Sequence, residues 1–151
     1  MTGQNLPKGQ YGHKTLQIGD RIETDEAVIT AVMIERFADL TGDRFALHMN
    51  DDAARALGFP RRVAHGLLVL SLIDGLKNTA AAQLRAVASL GWDIRFSAPV
   101  LVDDRIQAVF TIAAKRPARD SHRAIVTLGV EARSHDGAII QRGTTTLMMM
   151  P

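Results

Sequence analysis

The sequence predicts an α+β domain in which one apolar helix is followed by a series of long antiparallel strands. Three observations predict it. Residues 66–76 read G-L-L-V-L-S-L-I-D-G-L and are apolar nearly all round, as a helix enclosed by a core would be. After Ala80 the chain turns to Val, Ile, Thr and Phe in partial alternation, the pattern of half-buried strands. The breaks between those stretches are short and polar, and His135-Asp136-Gly137 contains the Asp-Gly pair of a tight hairpin.

The elements follow in order. Residues 1–14 carry Gly, Pro and polar side chains with no period, which predicts a flexible N-terminal arm and leaves 15–151 as a single domain. Leu16 to Thr24 reads as a first strand, interrupted by Gly19-Asp20. Thr30 is placed to cap a helix from Ala31 to Leu40, with Val32, Ile34, Phe37 and Leu40 as its apolar stripe and Gly42 as its stop. Residues 43–64 form a long excursion holding one short helix, Asn50 to Leu57, favoured by Asp51 and Asp52 in its first turn and ended by Gly58. The apolar helix then begins at Gly66, and Asp74 is its one strongly polar interior residue. Four strands are expected after it, at Leu90–Ala98, Arg105–Lys115, His122–Arg133 and Ala138–Met149.

Composition narrows the function. A chain of 151 residues, 46% hydrophobic, can bury one substantial core. The absence of cysteine excludes disulfides and thiolate metal sites. No apolar run approaches the roughly 20 residues of a membrane span, and the polar start lacks the apolar core of a signal peptide, so a cytoplasmic protein with no membrane partner is expected. Eighteen Lys and Arg against 16 Asp and Glu give +2, without basic and aromatic residues interleaved, so no nucleic-acid partner is indicated.

Asp43 and His48 lie five residues apart on one loop, just past the Thr41-Gly42 stop. A carboxylate and an imidazole so placed can hold one water between them, one group taking a proton while the other gives one. Gly66 opens the apolar helix, where backbone N–H groups are free to stabilise a developing oxyanion. Two ligands spaced by five, with no H-x-x-x-H or H-x-H partner, argue against a metal. His65 suits a polar side chain satisfied by backbone at a helix start, with a direct catalytic role as the lesser reading. Asp74 on an apolar helix must be paired, protonated or set against a wet pocket. Arg61 and Arg62, with Arg55 before them, are candidates for phosphate contacts, and Lys115, Arg116 and Arg119 form a second such group.

These segments resemble the MaoC-like dehydratases, also called R-specific enoyl-CoA hydratases. The resemblance is carried by Phe37, Leu40-Thr41-Gly42-Asp43, Leu47-His48 and Ala54, then Ala64-His65-Gly66, then Leu90 to Phe96 with Ala98-Pro99-Val100, in that order. It covers residues 15 to 150. Phe45-Ala46 stands where the family has Asn-Pro, and Asp74 where the family's helix often has a small hydroxyl residue. The resemblance implies a hotdog fold, a curved antiparallel sheet wrapped around a central helix, and a homodimer.

It also implies a hydro-lyase acting on an acyl thioester of coenzyme A or acyl carrier protein, with no cofactor beyond the coenzyme A of the substrate itself. Asp43 and His48 would deliver the elements of water to one face of a 2-enoyl group while Gly66 N–H polarises the thioester carbonyl. Phe45, Asp74, Arg61, Arg62 and His65 would line or approach the substrate. Two other readings remain open at this point: an acyl-CoA thioesterase on the same fold, and an acyl-thioester-binding subunit without turnover.

Overall fold

A computed structural model describes residues 3–151. Three short strands come first, β1 (Gly9–Tyr11), β2 (Arg21–Glu23) and β3 (Ala27–Val28). Four helices follow, α1 (Ala31–Thr41), α2 (Ala46–Met49), α3 (Asp51–Ala56) and α4 (Gly66–Thr79). The chain ends in β4 (Ala82–Leu84), β5 (Ala86–Phe96), β6 (Arg105–Pro117), β7 (Ala124–Ser134) and β8 (Ile139–Met149). The main sheet is antiparallel in the order β2-β6-β7-β8-β5, with β3 also on β6, and α4 lies along its inner face. This is a hotdog fold.

The core forms where helix and sheet meet. β7 alternates strictly, with Ala124, Val126, Leu128, Val130 and Ala132 facing inward. Leu68, Val69 and Ile73 of α4 pack into the same cluster as Phe110, Ile112 and Leu128 of the sheet. One side of α4 is therefore buried, but the helix is not enclosed all round: Leu67 is 61% exposed and Ser71 is also exposed. A sheet covers only one side of a helix, so the outer side of α4, which carries Leu67, has no cover among the described residues.

β5 is the open edge of the sheet. It pairs with β8 alone, and Val87, Leu90 and Phe96 on it are each about half exposed. Among the described residues no helix is long and apolar enough to cross a membrane.

Local chemistry explains where elements start and stop. Thr30 caps α1 by accepting from Met33 N at 3.2 Å, and Gly42 ends it at φ 81°, donating its N–H to Ala38 O at 2.8 Å. Asn50 caps α3 through Ala53 N at 3.1 Å. The strand expected over Leu16 to Thr24 shortens to β2. The Asp20 carboxylate accepts from Gln17 N at 2.8 Å and Gln4 N at 3.3 Å, holding a turn in place of a ladder. The N-terminal stretch, expected as a free arm, is docked from residue 3 onward. β1 pairs in parallel with β4, Leu6 N donates to Arg21 O and His13 N to Met150 O.

Candidate active site

The loop between α1 and α4 is anchored at both ends. Val63 bridges to Leu101, and Ala64 N donates to Val100 O at 2.7 Å, which ties the entrance of α4 to the chain just after β5. At the other end the Thr41 hydroxyl accepts from Asp43 N at 3.2 Å, and the Asp43 carboxylate accepts from Phe45 N at 3.2 Å. Between these anchors lies α2, a single turn that the sequence did not reveal, and it carries His48.

The structure brings Asp43, His48 and His65 together: a carboxylate oxygen and one ring nitrogen from each histidine lie within 4.8 Å of one another. His48 Nδ1 sits 2.7 Å from Val63 O. A carbonyl only accepts, so Nδ1 carries the hydrogen, and in the neutral imidazole Nε2 is the bare lone pair. His65 Nε2 is 2.9 Å from Asp43 O, which by the same reasoning leaves His65 Nδ1 bare, buried and unpartnered. The imidazoles stack at 4.0 Å between centroids and 29° between planes, and the Phe37 ring packs against His65 at 5.0 Å, tilted by 57°. Groups this close can hold a single bound water between them.

A cavity of about 290 Å³ opens beside His48, walled by Gly66, Val69, Phe96, Ala98 and Gln141. Gly66 is the first residue of α4, and its N–H has no acceptor among the described residues. A Cβ there would lie 2.3 Å from Phe96 Cε2, so any larger residue would have to push that ring aside. Gln141 donates to Gly66 O at 2.8 Å and fixes that peptide, while its buried Oε1 is unpartnered. The cavity thus offers an imidazole and a free backbone donor around one partly apolar space, while the Asp43 carboxylate stands beside His48 without forming part of the cavity wall.

The other candidates fall outside this cavity. Phe45 is 60% exposed and meets His48 edge-on at 6.1 Å. Asp74 is paired: it accepts from Lys77 Nζ at 2.7 Å, and Lys77 is buried between the Trp92 and Phe110 rings, 5.5 and 5.8 Å from their centroids. The carboxylate neutralises a buried ammonium and does not form part of the cavity wall. Arg61 donates to Val102 O at 2.7 Å and to Asp104 at 2.8 Å. Arg62 lies between Glu35 and Asp51 at 3.5 and 3.7 Å. Both guanidiniums brace the loop before α4. Gln141 and Lys77 went unnoticed in the sequence, and Phe96 stood out only as part of a strand motif, because each is one residue within a long element whose register only folding fixes.

The chain matches the family model for a MaoC like domain over residues 14–133. It is 28% identical to the (R)-specific enoyl-CoA hydratase of Aeromonas caviae, with 99% of each chain covered. It is 36% identical over 101 residues to protein MaoC of Klebsiella aerogenes, a match covering 66% of this chain and 30% of that one. Among solved structures, the unliganded R-hydratase of Pseudomonas aeruginosa superposes with a TM-score of 0.78 at 25% identity, covering 93% of this chain and 85% of that one. A family model that spans most of the chain, on a fold its solved relative shares, shows that the protein belongs to the MaoC-like domain family.

Proposed function

We propose that the protein adds water across the double bond of a 2-enoyl thioester and, in reverse, dehydrates a 3-hydroxyacyl thioester. Activity of this hydratase and dehydratase type is supported at the level of the family, and the full-length relative from Aeromonas caviae is named for it. One observation carries the finer reading: His48 and the free Gly66 N–H line one cavity, and the Asp43 carboxylate lies within 4.8 Å of a His48 ring nitrogen.

In this mechanism the thioester carbonyl accepts from Gly66 N–H, which draws electron density from the β-carbon. The Asp43 carboxylate orients a water. His48 Nε2 takes one proton from it as the oxygen bonds to the β-carbon. The enolate that results is stabilised by the Gly66 donor, a contribution on the order of 3 kcal/mol to the barrier. His48 then returns its proton to the α-carbon. Because one imidazole on one face handles both steps, the hydroxyl and the hydrogen add to the same side, and the base ends as it began.

The open edge supports a homodimer. An 11-residue strand with half-exposed Val87, Leu90 and Phe96 is an aggregation hazard unless a second copy covers it. Antiparallel pairing of two β5 strands would do so with closed two-fold symmetry.

Product analysis tests the reading. Crotonyl-CoA should yield 3-hydroxybutyryl-CoA of a single hand with no free thiol. Release of free coenzyme A in place of the hydroxy product would assign the site to thioester hydrolysis.

A further inference from the structure

The positive charge of this molecule is concentrated at one turn. Lys115, Arg116, Arg119 and Arg123 face a single carboxylate, Asp120, giving +3 over nine residues when the whole chain carries only +2. These residues end β6, form the turn and begin β7, and His13 of the docked N-terminal stretch lies against them. Together His13, Lys115, Arg116, Ser121 and Arg123 border a cavity of about 180 Å³.

The cations there are left largely uncompensated. Lys115 donates to two neutral acceptors, the carbonyls of His13 and Leu16. Arg116 has no carboxylate and no side-chain hydrogen bond among the described residues. Arg123 reaches only Asp120, at 3.9 Å. Elsewhere the arginines that flank the site, Arg61 and Arg62, are held by acidic side chains. Like charges gathered around a concavity raise its potential and favour an anion. Guanidinium forks with a serine hydroxyl match the oxygens of a phosphate. The cavity admits a phosphate group, whereas an acidic protein would need a broad face.

We propose that this cavity binds a phosphate monoester at the nucleotide end of a coenzyme A thioester. The proposal rests on the hydratase reading and on the β5-paired dimer proposed above, which sets the cavity beside the second copy's site. Ala124 pairs with Met149, whereas the catalytic cavity lies at Gln141, eight residues along β8 and so roughly 27 Å away at 3.4 Å per residue. β5 runs the other way, with Ala86 beside Met149 and Phe96 beside Gln141. When two β5 strands pair antiparallel about their middle, Phe96 of the second copy comes beside Ala86 of this one. The second copy's catalytic cavity then lies at the basic end, where an extended pantetheine arm can span between them.

Calorimetric titration of the full chain with adenosine 3′,5′-bisphosphate tests the cavity directly. One site per chain is expected, weakened at least 10-fold by Arg116→Ala/Arg123→Ala, with no binding of adenosine alone. No binding to the native protein, or equal binding to the variant, overturns the proposal. Kinetics test its link to the reaction. The double variant should raise KM for crotonyl-CoA at least 5-fold and leave kcat, and all constants for crotonyl-pantetheine, unchanged. Equal KM for crotonyl-CoA in both proteins overturns the link. If the native protein hydrates neither thioester, the hydratase reading fails, and the titration still decides whether the cavity binds phosphate.

Discussion

His65 stacks on His48 at 4.0 Å and hydrogen-bonds the carbonyl of Asp43 at 2.9 Å, so one buried side chain sets the positions of both groups that would handle water. It also precedes Gly66, the proposed oxyanion donor. His65→Phe keeps a ring in the stack and loses the Nε2 donor. It should lower kcat about 10-fold or more, because small misplacements of reacting groups are costly, with little change in KM. His65→Gln, which places an amide donor near the same point, should recover part of the loss. Steady-state kinetics on the three proteins, with thermal melts to establish folding, test the relationship.

Gly66 and Phe96 should behave as a coupled pair. A methyl group at 66 would lie 2.3 Å from the Phe96 ring, which is half exposed and free to swing aside. Gly66→Ala is therefore expected to fold but to lose most of its kcat/KM, as the displaced ring crosses the cavity. Adding Phe96→Ala should bring activity back to the level of Phe96→Ala alone. A double-mutant cycle measures the coupling.

Much of this arrangement was legible in the sequence, because its signals are local. Thr30 and Gly42 mark α1 by capping chemistry, Asn50 and Asp51 start α3, and alternation in residues 124–132 gives β7 its inner face. The hydrophobic character of residues 66–76 gave α4, although it overstated the enclosure, since Leu67 and Ser71 face outward in the single chain. What the sequence could not give depends on contacts across the fold. Asp74 stood out as an anomaly, but its partner Lys77 was hidden: a lysine near a helix end usually reaches water, and here it points under Trp92. Gln141 reaches Gly66 across 75 residues, a pairing with no local signature.

The Asp74–Lys77 pair predicts a stability effect in place of a change in substrate choice. Asp74→Ser would leave the Lys77 ammonium, 6% exposed, without its counter-charge. Breaking a buried pair costs about 3 kcal/mol or more, and roughly 1–2 kcal/mol is expected here because Asp74 itself is partly exposed. Lys77→Met/Asp74→Ser should recover most of that loss. Urea unfolding of the three proteins checks the order. A shift in chain-length preference with unchanged stability would place Asp74 at the substrate instead.

Glu131 should give the fold an acid-sensitive brace. Its partial burial pushes the carboxyl pKa up, but hydrogen bonds and charge from Arg133 and Arg142 outweigh this and hold it below the usual carboxylate range. A depressed carboxylate stabilises the folded state above its unfolded pKa, about 4.3, and loses that contribution as pH falls through the folded value. Glu131→Gln should therefore lower Tm at pH 7 and match the native protein at the acid end. Melting curves between pH 7 and pH 3 test the sign.

The initial rate of crotonyl-CoA hydration, followed by loss of the conjugated thioester absorbance, bears most directly on the central claim. The native protein should turn over, and Asp43→Asn and His48→Gln should each fall by about 100-fold or more while melting like the native chain. Near-native rates in either variant would contradict the assignment of water activation to Asp43 and His48.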